Sequence, residues 1–190
     1  MSLPLGNRKH LRVPLSSWFL YEDEGFVYKS RLVNISEGGI LIESLPHVPS
    51  HSPVAVMVDI PKLPLLEGLS LSELMELRPY SFEHDLLRAQ IETLRRSEMT
   101  TPVDQVFARH IAGKWFHPSS QLNQSIRAYV NSFCTNLAAL WGYYLKTNGD
   151  PDRIKKVRLW ANLLGYEGEA KLSFLHQQLQ KDYGEIQKNL

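Results

Sequence analysis

The hydrophobic period of this chain changes once, near Ser119, and that change constrains its fold more than any single motif. Before it, apolar runs are short and rich in β-branched and aromatic residues. Residues 53–60 are the clearest case, with Val54, Val56, Val58 and Ile60 on one face of a period-2 strand. After it, Leu122, Ile126, Tyr129, Val130, Phe133, Leu137, Leu140, Trp141, Tyr144 and Leu145 recur at three- and four-residue steps. Strands first and helices second predict an α+β fold.

Further strands are expected over 16–21, 26–34, 40–43, 86–95 and 106–116, the last bent near Gly113. Glu22-Asp23-Glu24-Gly25 reads as a turn, and residues 36–39 join the strand over 26–34 to the one over 40–43. Short strands at this spacing suggest a small antiparallel barrel or sandwich. The link 61–85 is long, and Ser70 with Glu73 has capping-box spacing for a short helix inside it.

The helical part begins at Ser119 with a helix of about 26 residues, on the order of 40 Å long. Asp150-Pro151 supplies an N-cap and a first helical residue for the next helix, and Gly165 ends it. A last helix is expected over 169–187, with Leu172, Leu175 and Leu179 on one face. The apolar stripe over 122–145 is too long for a small barrel to cover. Either the two later helices fold back on it, or a second copy pairs with it as a homodimer through these helices. The expected division is a barrel with an N-terminal arm over 1–118 and a helical region over 119–190.

Charge and cysteine usage narrow the function classes. Lysine and arginine total 21 against 20 acidic residues in 190, so bulk charge does not favour nucleic acid or anionic membrane. Any anion site must be local. Cys134 is the one cysteine, which leaves no internal disulfide and no thiol metal cluster. Residues 1–7 hold no apolar run of signal-peptide length, and no stretch approaches the roughly 20 apolar residues of a bilayer span. A cytoplasmic protein is expected. The seven histidines are scattered without an acidic ligand cluster, so no metal, no cofactor and no catalytic nucleophile is assigned. The tryptophans Trp18, Trp115, Trp141 and Trp160 read as core or interface anchors.

Two short segments carry chemistry. Arg8 and Arg12 precede the first strand, and guanidinium forks match phosphate oxygens and the O6/N7 edge of guanine. Asn34 offers an amide that both donates and accepts, Ser36 a hydroxyl, and Gly38 and Gly39 a positive φ and close backbone approach to a ligand. By spacing alone such arginines are more often solvated charge, and such an Asn-Ser-Gly segment is more often an ordinary hairpin turn.

Their order carries more. Arg8 and Arg12, then Val13-Pro14-Leu15, two strands, Asn34-Ile35-Ser36-Glu37-Gly38-Gly39, Ile40-Leu41-Ile42, and a strand closing in Asp59-Ile60-Pro61 together resemble the PilZ domain over roughly residues 5–135. The resemblance implies a small six-stranded antiparallel barrel, here followed by a C-terminal helical extension. It implies a receptor for cyclic di-GMP that signals to a protein partner, not identified by the sequence, rather than an enzyme. Arg8 and Arg12 would then bind guanine and phosphate, with Asn34, Ser36 and Gly39 lining the opposite side. Lys9 and Gly38 would be peripheral contacts. Asn7 stands where similar proteins that bind a stacked ligand pair carry an arginine, which favours one ligand per chain. The link 61–85 is longer than usual for the family, and residues 108–116 match its last strand only loosely. The helical tail has no counterpart in the family pattern. An alternative keeps the barrel as a ligand-independent adaptor that acts through the helical region.

Overall fold

The computed structural model describes residues 10–43, 45–100, 107–166 and 171–189, with backbone alone for 94–100, 107–110 and 189. Strands β1 (Val13–Pro14), β2 (Trp18–Asp23), β3 (Phe26–Ser36), β4 (Gly39–Glu43), β5 (Val54–Pro61), β6 (His84–Thr100) and β7 (Phe107–Trp115) come first. Helix α1 (Leu71–Glu76) lies between β5 and β6, and α2 (Ser120–Tyr144), α3 (Pro151–Leu163) and α4 (Leu172–Asn189) follow β7.

All strand pairs are antiparallel. The order β1-β3-β2-β5-β6-β7-β4, with a further β3–β4 pairing, closes β2 to β7 into a six-stranded barrel. The α+β expectation and the barrel are therefore realised. The first strand starts earlier than the pattern over 16–21 implied. Val13 pairs with Ile35 and Pro14 with Asn34, so β1 prolongs β2 along the same edge of β3. The alternation signal missed it because Pro14 and the two serines that follow Leu15 interrupt the period.

Two register shifts shape the barrel. One lies between Leu32 and Asn34 in β3 and the other between Thr93 and Arg95 in β6. The second faces Ala112 and Gly113, so the irregularity expected in β7 near Gly113 is taken up by its partner strand. Extra residues of this kind bend a strand and re-aim side chains. The first bulge immediately precedes Asn34.

Asp23 corrects the turn reading of 22–25. It ends β2, is buried, and accepts hydrogen bonds from the Ser50 backbone amide (3.0 Å) and hydroxyl (2.9 Å). The turn itself is Glu24–Gly25, between the paired Asp23 and Phe26. Burial opposes the Asp23 charge, but the Ser50 bonds and the nearby His47 and His51 hold its carboxyl below the usual range. Trp18 separates the two readings given for the tryptophans. It is 59% exposed, with the Lys29 ammonium over its ring, rather than a core anchor.

The helices form as their end signals require. Ser70 and Glu73 make a full capping box on α1, Ser119 caps α2, and Asp150 caps α3 with Pro151 in the first turn. Both α3 and α4 pack on α2, so the chain covers its own long apolar stripe. Barrel and helices share one buried cluster, from Phe19, Tyr21 and Val58 to Ile126, Phe133, Leu140, Trp160 and Leu179. Each fully buried apolar side chain of this size contributes about 1.5–3 kcal/mol. Among the described residues no helix is long and apolar enough to cross a membrane.

Candidate functional site

The hairpin between β3 and β4 is held from both sides. Ser36 pairs with Gly39 across the two-residue turn Glu37-Gly38. The Ser36 hydroxyl is buried and donates to the Gly39 carbonyl (3.2 Å), and Trp115 Nε1 donates to the Ser36 carbonyl (3.0 Å). These bonds fix the turn against β7. They also engage the Ser36 hydroxyl within the protein.

The glycines serve close approach rather than unusual backbone angles, since neither Gly38 nor Gly39 has a positive φ. A Cβ on Gly39 would collide with the Gly113 carbonyl oxygen of β7. A Cβ on Gly38 would come within 2.8 Å of His10 Cδ2. His10 is the first described residue of the N-terminal arm, so the arm end lies directly on the turn.

Backbone register supplies the next link. Arg12 stands one residue before the Val13–Ile35 pair, and side chains alternate across a strand. Val13 and Ile35 face the core, which turns Arg12, Pro14 and Asn34 to the other side. Arg12 is exposed there. The Asn34 Oδ1 atom is buried and accepts no hydrogen bond among the described residues. An amide oxygen left without a donor costs free energy unless something arrives to donate. The expected contacts Asn7, Arg8 and Lys9 lie outside the described residues. Arg12, Asn34, Ser36, Gly38 and Gly39 are gathered at one end of the barrel.

A cleft of about 840 Å³ opens beside the turn. Its walls are His10 and Leu11 of the arm, Glu37 of the turn, Asn131 and Cys134 of α2, and Tyr183 of α4. The helical wall was not foreseen, because sequence patterning shows that a helix has a polar face but not what that face opposes. Burial pushes the Cys134 thiol up to about 11, so it is protonated near neutral pH and is a poor nucleophile.

Two other polar clusters lack the geometry of nucleophilic catalysis. At Asp23, Ser50 and His47 both meet the carboxylate, and His47 Nδ1 lies 3.0 Å from it without a hydrogen-bonding alignment. At Asp59, His84 Nδ1 (2.7 Å) and the Ser17 hydroxyl (3.2 Å) likewise both contact the acid. A general base must reach the serine itself. Among the described residues no group of three or more His, Cys, Asp or Glu could hold a metal ion.

In sequence, the family model described as PilZ domain matches residues 6–73. No curated protein matches the chain. Among solved structures, the Bacillus subtilis inhibitor of motility MotI/DgrA is similar at 13% identity and a TM-score of 0.44, over 67% of this chain and 51% of its own. The PilZ domain of Escherichia coli YcgR with c-di-GMP is similar at 10% identity and 0.40, over 66% and 90%. The K. pneumonia MrkH–c-di-GMP complex is similar at 12% identity and 0.44, over 67% and 52%. The match thus spans about half the length of MotI/DgrA and of MrkH.

Proposed function

We propose that this protein is a receptor for cyclic di-GMP and acts on a protein partner rather than on a chemical bond, a reading supported by the match of residues 6–73 to the PilZ domain family model. The ligand lies between the N-terminal arm and the β3–β4 turn. Arg8 and Arg12 hold guanine and phosphate, while Asn34, Ser36 and Gly39 line the facing side. Lys9 and Gly38 border the ligand, and Asn7 leaves room for one ligand per chain.

The observation that carries this reading is the seating of His10 on Gly38, which lays the described end of the arm against the turn. The unpartnered Asn34 Oδ1 supports it further, because guanine carries N–H donors that this oxygen can accept. Ligand orders the arm, and the reordered surface is what the partner reads. Exposed Trp18 and Leu86, on the outer barrel wall, suit contact with a protein.

Titration calorimetry of the full chain tests the reading. Binding at micromolar Kd or tighter is expected, about −8 kcal/mol. The Arg8→Ala, Arg12→Ala double variant should lose most of that affinity. Absence of heat and of any ligand-induced change in the wild type, or full affinity in the double variant, would overturn it.

A further inference from the structure

Helix α2 lies outside residues 6–73, yet one of its side chains meets the hairpin turn. Arg127 Nε is 3.1 Å from Glu37 Oε2. The arginine is well exposed, and pairs of that kind contribute little to stability. Among the described residues, the two terminal amino groups of Arg127 make no hydrogen bond. The pair is thus a loose tether that leaves donors unused.

Its position gives those donors a use. Asn131, Cys134, Thr135 and Ala138 of α2 line the cleft beside the turn. They recur at three- and four-residue steps, and Arg127 precedes Asn131 by four, so it stands one turn up the same helical stripe. Glu37, its partner, belongs to the cleft wall. At about 840 Å³ the cleft is within the size range of small-molecule sites, roughly 300–1,000 Å³. A guanidinium one helical turn from Asn131 and bonded to Glu37 can present a planar pair of donors to a phosphate.

We propose that Arg127 is a further ligand-binding residue, supplied by the helical region, which takes a phosphate of the dinucleotide held at the arm and turn. This rests on the reading of the site as a dinucleotide receptor. Without ligand, Glu37 neutralises Arg127. On binding, a phosphate takes the place of the Glu37 carboxylate, so the arginine exchanges one anion for another. The ligand then touches the barrel turn and α2 at once, which joins the sensing site to the helices.

The test is calorimetric titration of cyclic di-GMP into the full chain, with thermal melts to check folding. Arg127→Gln should weaken binding about tenfold to a hundredfold, the effect of losing a charge-assisted hydrogen bond. Arg127→Lys, which keeps the charge but not the fork, should fall between. Glu37→Gln should bind as tightly as the wild type or more so, because it frees Arg127 and removes a negative charge. The double variant should be as weak as Arg127→Gln. If the pair is only a structural tie, Glu37→Gln and Arg127→Gln will change affinity alike, and the proposal fails. It also fails if Arg127→Gln binds within about twofold of a wild type that does bind. A wild type that takes up no ligand overturns the receptor reading itself, and this inference with it.

Discussion

Adjacent glycines at the turn have different neighbours, and single substitutions should separate them. Gly39 faces the Gly113 carbonyl, which is backbone within a paired strand and cannot yield. Gly39→Ala should therefore destabilise the barrel by about 1–3 kcal/mol, the usual cost of overpacking, measured by urea unfolding. Gly38 faces the ring of His10, a side chain able to swing away. Gly38→Ala should leave stability within about 0.5 kcal/mol of wild type while weakening cyclic di-GMP binding by displacing the arm end. Equal stability losses in the two variants would contradict this account. The placement of Arg12, Asn34 and Ser36 beside strand ends was legible in the sequence, because they stand in order around strand patterns. The reason for the glycines was not, since only the folded chain shows that His10 and Gly113 occupy the space a Cβ would need.

Between elements, α2 is joined to the long β5–β6 connection by one buried amide. Asn136 Oδ1 accepts from the Leu66 backbone amide (2.8 Å) and its Nδ2 donates to the Pro64 carbonyl (2.8 Å). Asn136→Ala would strand both backbone groups away from water. A loss of about 2–4 kcal/mol in urea unfolding is expected, the combined effect of two unsatisfied partners. A loss under about 0.5 kcal/mol, the scale of a surface change, would mean the connection is held by other contacts. The helices themselves were readable from Ser119, Asp150-Pro151 and Gly165, because caps and periodicity are local signals. Asn136 was not singled out, although it lies among the buried Phe133, Leu137 and Leu140 of one helix face. A polar residue on an apolar stripe signals a buried bond, but its partners lie about 70 residues away. The short β1 escaped for a related reason: its pairing to Asn34 and Ile35 is non-local.

Across the whole molecule, the barrel and helices share one core, and the cleft beside the β3–β4 turn lies where they meet. Its stability should depend on acidity through Asp23. The Asp23 carboxyl in the folded chain sits below its ordinary value of 3.8, so the native state holds this proton less tightly than the unfolded state. That contribution is present above about pH 4 and is lost as pH falls through the lower folded value. Urea unfolding of wild type and Asp23→Asn should differ more at pH 7 than at pH 3, with the wild type favoured at neutrality. A gap that widens on acidification would contradict the assignment. Asp182 works in the opposite sense. Burial raises its carboxyl against the bond it accepts from Tyr166, so its contribution declines as pH rises through the folded value.

Paired titration of the full chain with cyclic di-GMP and cyclic di-AMP decides whether the proposed site recognises a guanine-containing cyclic dinucleotide. Adenine presents an N6 donor where guanine presents the O6 acceptor that an arginine fork requires. Saturable binding of cyclic di-GMP at about one per chain with micromolar Kd or tighter is expected, with cyclic di-AMP weaker by at least about tenfold, or 1.4 kcal/mol. Absence of cyclic di-GMP binding, or equal affinity for the two ligands, would contradict it.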